Sequence, residues 1–201
     1  MADRAARMSF GRFQRATVGR SSVALLAVLG LATPCLAREL AGVKMPESVE
    51  VQGNQLQLNG MGLRKKWVFK VYVAGLYLES PSRDAATIIQ SKQIKRIEMQ
   101  MLRDLSNARV TDGIERGFKK NAEDKLPALR EKLDRLYAHV SDFRRGQKLT
   151  VTYVPGKGTM VRNSDGKEIL IEGRDFAEAM FSVWLGKSPV DRSLKRGLLG
   201  R

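Results

Sequence analysis

Residues Asn59–Ser80, NGMGLRKKWVFKVYVAGLYLES, decide how this chain is read. From Trp67 to Leu78 apolar residues fall on both parities, and Lys70 is the only charge. A strand patterned this way is covered on both faces, although a short apolar run also fits a buried helix. The β-branched and aromatic content, and Gly75 inside the run, favour the strand. Ahead of it, the glycines of Asn59–Gly62 read as a turn, followed by one conspicuous cation, Arg64. A guanidinium at the mouth of a doubly covered sheet suits an anionic ligand, because it stays charged and offers a planar fork of donors. The plainer expectation is that Arg64 pairs with an acid such as Glu79 or Asp104, leaving Tyr72 as core.

Upstream, Val49–Leu58 (VEVQGNQLQL) alternates around Gly53-Asn54 and predicts a short hairpin with one wet face. Downstream, Ser80-Pro81-Ser82 ends the run and leads into a short helix, Asp84–Gln90, and Ile94–Leu102 predicts another strand. Ser106 is placed to cap a helix that carries Val110, Ile114 and Phe118 at near-helical spacing. Pro127 interrupts it, and a second helix, Ala128–Ala138, aligns Leu129, Leu133, Leu136 and Tyr137. Its charged face is solvated, with Glu131 and Arg135 as an (i, i+4) pair. Leu149–Val154, Thr159–Arg162 and Glu168–Ile171 form a β-meander with turns at Pro155–Gly158 and Asn163–Gly166. A helix over Asp175–Leu185 turns Phe176, Met180, Val183 and Trp184 inward, and a last short helix starts after Asp191. Strands in blocks with helices between and after them predict an α+β domain, a mostly antiparallel sheet with helices on one face.

The first 37 residues are set aside as a signal peptide. Five arginines precede the apolar Val23–Ala32, and Cys35-Leu36-Ala37 has small residues at the positions that favour cleavage after Ala37. The expected product is an exported, periplasmic domain over residues 38–201, long enough to bury a full core. Cys35, the only cysteine, leaves with the leader, and His139 is the only histidine. Zinc sites and histidine-based triads are excluded by that inventory, and no metal or cofactor is expected. His139 reads as a helix-end residue. Removing the leader's five arginines and Asp3 from 36 basic and 21 acidic residues leaves a net charge of +11. No nucleic-acid motif accompanies this charge. A solvated basic surface is the first expectation, contact with an anionic membrane surface the second, and no nucleic-acid partner is expected.

Residues Gly60–Glu79 resemble the start of the chalcone isomerase-like domain. The glycine–arginine segment, the strand ending Ala74-Gly75-Leu76-Tyr77-Leu78-Glu79, and the late helix closing on Leu185-Gly186-Lys187-Ser188-Pro189 are similar to that family. The likeness spans about residues 41–199 and is nearest to its bacterial, exported branch. It implies a curved antiparallel sheet packed against a layer of helices, an open-faced β-sandwich. It also implies one of two uses for a single arginine. In the plant enzymes that group stabilises negative charge while a chalcone cyclises to a flavanone. In fatty-acid-binding members it holds the carboxylate.

Carried over residue by residue, the arginine falls on Arg64 and the strand threonine on Val71 or Tyr72. The helix that brings a tyrosine and an asparagine to the cavity aligns with Ser106–Gly113, so Ser106 and Gly113 take those places. The late-helix hydroxyl becomes Val183. Losing one positioned donor commonly costs on the order of 100- to 1,000-fold in rate, so efficient chalcone cyclisation is not expected. The first functional expectation is a monomeric, non-catalytic protein binding a fatty acid or similar small apolar carboxylate. Arg64 and Tyr72 would hold the head group, and Met99, Met101, Ile114, Phe118 and Val183 the tail. The alternatives are a chalcone isomerase-type intramolecular lyase of unknown substrate, with Arg64, Tyr72 and Ser106 as weak catalytic candidates, or an interaction module of the cell envelope.

Overall fold

The computed structural model describes residues 37–201; residues 1–36 of the leader, Cys35 included, lie outside the described residues. Fourteen elements follow one another: β1 (Ala37–Leu40), β2 (Val43–Pro46), β3 (Ser48–Val51), β4 (Asn54–Lys66), β5 (Phe69–Leu78), α1 (Ala85–Gln90), β6 (Lys95–Met101), α2 (Asn107–Asn121), α3 (Leu126–His139), β7 (Lys148–Val154), β8 (Gly158–Asn163), β9 (Glu168–Ile171), α4 (Arg174–Leu185) and α5 (Arg192–Leu198). A 3-10 turn at Glu123–Lys125 joins α2 to α3, and Pro127 sits in the first turn of α3, where its missing N–H costs nothing. The fold is α+β: a curled seven-stranded antiparallel sheet in simple order β3 to β9, with helices packed on one face.

That face holds the larger core. Leu76, Ile97, Phe118, Leu133, Phe176 and Phe181 are buried between sheet and helices. On the other face β1 and β2 form a separate hairpin that covers Met61, Val73 and Tyr77 with Val43 and Met45. The Tyr77 hydroxyl donates to the Pro46 carbonyl at 3.1 Å. Gly75 makes this approach possible, because a Cβ there would lie 2.5 Å from the Met45 sulfur. The β1–β2 hairpin has no counterpart in the sequence reading, since four-residue strands beside the leader carry too little alternation to register.

Four expectations need correcting. Asn59–Gly62 is no turn; it lies within the thirteen-residue strand β4. Gly60 and Gly62 are there because α5 crosses them at backbone contact, a Cβ on Gly60 falling 2.2 Å from the Gly197 carbonyl oxygen. The buried run begins at Val71 rather than Trp67, because Trp67-Val68 is the two-residue turn between β4 and β5 and Phe69-Lys70 is exposed. The β3–β4 turn is centred on Gln52-Gly53, both at positive φ, and Asn54 already belongs to β4. On α3, Arg135 donates to the Leu170 carbonyl instead of pairing with Glu131. The pairing arginine is Arg130, which reaches Glu115 and Asp134.

Candidate functional site

Between the sheet and α2 lies a cavity of about 360 Å³, near the lower end of the range for small-molecule sites. Its floor is made by β4, β5, β6 and β7 through Arg64, Val71, Tyr72, Met99, Met101 and Leu149. Its roof comes from Val110, Gly113 and Ile114 of α2 and from Val183 and Trp184 of α4. Strand pairing sets the floor, placing Arg64 opposite Tyr72 and Tyr72 opposite Met101. A register shift between Arg64 and Lys65 leaves Val71 as an extra residue on β5. Such a bulge re-aims the strand beyond it. The two positions between which the sequence left the family's threonine open, Val71 and Tyr72, both line the cavity.

Arg64 has its guanidinium carbon 5.8 Å from the centre of the Tyr72 ring. No carboxylate lies within 4.0 Å of it among the described residues. The acids proposed as its partners are used elsewhere. Glu79 accepts from the Ile94 N–H at 2.7 Å, and Asp104 from the Arg145 N–H at 2.8 Å. The Tyr72 hydroxyl accepts from Trp184 Nε1 at 3.0 Å. Burial raises the Tyr72 pKa, with the Arg64 charge and the Trp184 bond acting against it, so the hydroxyl is neutral near pH 7.

Six of the seven ligand-binding candidates, Arg64, Tyr72, Met99, Met101, Ile114 and Val183, border this one hollow. Phe118 does not. It is fully buried one helical turn beyond Ile114, packed on Phe176 with ring centres 5.8 Å apart. Ser106 is also outside. It occupies the N-cap position of α2 without a side-chain cap bond, and Asp142 accepts the Asn107 N–H at 2.7 Å in its place. Gly113 and Val183 do stand at the wall, but neither brings a polar group. A Cβ at Gly113 meets nothing within 4 Å, so the glycine widens the hollow.

Sequence reasoning missed Arg103, Trp184 and the rim. Arg103 follows β6, and its guanidinium carbon lies 5.0 Å above the Phe69 ring. Its Nε is buried without an acceptor. Lys66, Arg109 and Arg116 complete a basic rim whose one acid, Asp112, is bound to Arg116. A cation two residues past a strand end carries no signal of its own, and Trp184 was read as core because helical spacing does not tell core from cavity wall. His139 is the last residue of α3, as expected. Among the described residues no group of three or more His, Cys, Asp or Glu side chains is placed to hold a metal ion. Chemically, the cavity offers apolar walls, two cations, Arg64 and Arg103, with no acid partner among the described residues, and a neutral tyrosine.

A family model described as chalcone isomerase-like matches residues 37–200. Among solved structures, a fatty-acid binding protein of Arabidopsis thaliana is similar at a TM-score of 0.65 and 15% sequence identity, the match covering 82% of this chain and 96% of that one. At that identity the likeness speaks for the fold. No curated protein matches. The family match takes in the whole seven-stranded sheet, the helix layer and every residue of the cavity, and the chain belongs to the chalcone isomerase-like family.

Proposed function

We propose that this protein binds a small apolar carboxylate, most simply a fatty acid, without transforming it. The observation that carries the reading is Arg64: a partly buried guanidinium with no acid partner among the described residues, at the wall of a mainly apolar cavity. Arg103, with a buried Nε that finds no acceptor, adds a second donor for the same head group. Tyr72 stays protonated, held in place by Trp184, and can donate its own proton to a carboxylate oxygen. A charge-assisted hydrogen bond contributes about 1.5–3 kcal/mol and each buried methylene about 0.8 kcal/mol. The tail therefore supplies most of the affinity and the arginine the orientation. The fatty-acid binding protein of Arabidopsis thaliana that shares this fold supports this reading.

Turnover has less support. Ser106 stands away from the cavity, and the wall positions Gly113 and Val183 carry no donor. We place the protein outside the cytoplasm, as a monomer, after cleavage near Ala37. A cut there leaves Arg38 free to keep its ion pair with Glu47 at 3.0 Å. N-terminal sequencing of the protein from its native host should begin at Arg38.

The decisive experiment is native mass spectrometry of the purified protein, followed by extraction of bound lipid. A carboxylic acid should co-purify, and it should be lost both in Arg64→Ala, which removes the charge, and in Gly113→Phe, which fills the hollow. Retention of the same acid by both variants would overturn the assignment, as would failure of every carboxylate tested to bind the wild type.

A further inference from the structure

The β4–β5 turn works against local stability in two ways. Trp67 has a φ of +55° while Val68 stays at negative φ, the sign pattern of a type II′ turn whose first central position suits glycine. Trp67, Val68 and Phe69 are also left 87%, 86% and 53% exposed. The only other large hydrophobic exposed among the described residues is Leu170. Scattered apolar side chains on a surface are ordinary, but three in succession on a protruding tip form a patch. Neither the strain nor the exposure serves the fold.

The surroundings define what the patch can meet. Lys65, Lys66 and Lys70 flank it, Arg64 follows, and residues 59–78 contain no acid. Arg103 lies over Phe69 and holds that ring at the cavity rim. We propose that this tip inserts into the interface of an anionic lipid bilayer and turns the cavity mouth toward the membrane. Tryptophan favours the bilayer interface, where an apolar ring with one polar N–H is half wet, and lysines beside it are drawn to anionic head groups. A second copy of this chain is a poor occupant, because tip-to-tip contact would bring the two sets of cations together. A nucleic acid would give Val68 nothing to stack on. Because of the bulge at Val71, Lys66 and Phe69 border the same hollow as Arg64 and Tyr72. An acyl chain leaving the bilayer at this tip would enter the cavity without crossing water. The membrane contact itself does not depend on what the cavity binds, and it is measured without any guest.

The test uses the full chain and phosphatidylcholine vesicles with or without phosphatidylglycerol. The chain has two tryptophans, and Trp184 is buried. Brominated acyl chains in the anionic vesicles should quench emission from Trp67, and Trp67→Phe should lose that quenching. The double variant Trp67→Gly/Phe69→Ser keeps a turn residue that suits the backbone, so circular dichroism should show it folded. Its partitioning should fall about tenfold or more as the two rings are lost. Replacing Lys65, Lys66 and Lys70 by glutamine should weaken binding about fivefold for each charge removed. Comparisons between variants are made on chains that share residues 1–36, so any pull from that segment cancels in them. Absence of quenching, equal partitioning of the double variant, or equally tight binding to neutral vesicles would overturn the proposal. A tip-dependent dimer, or an oligonucleotide that outcompetes anionic vesicles for the tip, would do the same.

Discussion

The β5–β6 ladder has a cation near each end, and the two are treated in opposite ways. At one end Lys95 pairs with Leu78; at the other Met101 pairs with Tyr72, which in turn faces Arg64 across β4. Lys95 is 1% exposed. Its ammonium donates to the carbonyls of Ile88, Ile89 and Ser91 at 2.8, 2.7 and 3.0 Å, closing off the C-terminal end of α1. It also lies 5.0 Å from the Tyr153 ring centre and 5.4 Å from that of Phe181. Burial pulls its pKa down to about 8, with Glu178 opposing. All three donors are used. At the other end, among the described residues, Arg64 has no carboxylate, Arg103 has a buried nitrogen without an acceptor, and a cavity lies alongside. A buried cation whose donors are all engaged holds the fold together. One with donors to spare, next to empty space, is available to a ligand.

The largest expected effect tests the first half of that contrast. Lys95→Met should strand three carbonyl acceptors and cost on the order of 3 kcal/mol, read as a lower urea midpoint; a cost near zero would break the comparison. At the other end, Arg64→Met should leave the urea midpoint unchanged while weakening fatty-acid binding. The loss of one charge-assisted bond predicts about 10- to 100-fold, measurable by isothermal titration. A large drop in stability would instead place Arg64 in the same class as Lys95.

Glu115 sharpens the contrast from the side of the acids. It accepts from Arg130 at 3.2 and 3.0 Å and from the Tyr137 hydroxyl at 2.8 Å, tying α2 to α3. Those bonds, Arg130 foremost, hold its pKa at about 2, against 4.5 for an ordinary glutamate. Between those values the unfolded chain binds the proton and the folded one does not. The stabilisation is therefore complete above pH 4.5 and lost as pH falls towards 2. Glu115→Gln should remove this component of acid sensitivity, at a cost of about 1 kcal/mol at neutral pH, seen in thermal melts across that window. The smallest effect has the opposite sign. Trp67→Gly should stabilise the protein by about 0.5–1 kcal/mol, because the left-handed backbone there strains any L side chain. Glycine's greater freedom in the unfolded chain offsets part of the gain.

The order of elements along the chain, the helix positions and the meander were legible because each rests on a period: two along Ile94–Leu102 and Leu149–Val154, near-helical along Val110–Phe118 and Asp175–Leu185. What periodicity cannot separate is an apolar residue in the core from one on a tip. Trp67 and Phe69 share the composition of Val71–Leu78 but lie where the chain reverses. Gly60 and Gly62 misled for a related reason. Local sequence ties glycine to turns, whereas here it makes room for a helix that arrives more than 130 residues later. At the cavity, the family pattern pointed to Arg64 and Tyr72 and shared strand parity linked Met99 with Met101, and strand pairing brings the four to one wall. Phe118 and Ile114 share a helical stripe, yet one turn of rise puts the first in the core and the second at the cavity. Arg103 was invisible, because its place depends on how the chain leaves β6.

The crossing of α5 over Gly60 and Gly62 also bears on the order in which the molecule can be completed. Asn59 Nδ2 donates to the Leu198 carbonyl at 2.8 Å across 139 residues of sequence. The first long strand thus has its covering supplied by a helix that is made long after it. Contacts of such separation form late, since a large loop must close before they give any return. A nascent chain therefore carries a bare glycine groove along β4 until α5 has been made, and truncation before Asp191 would leave that groove open for good.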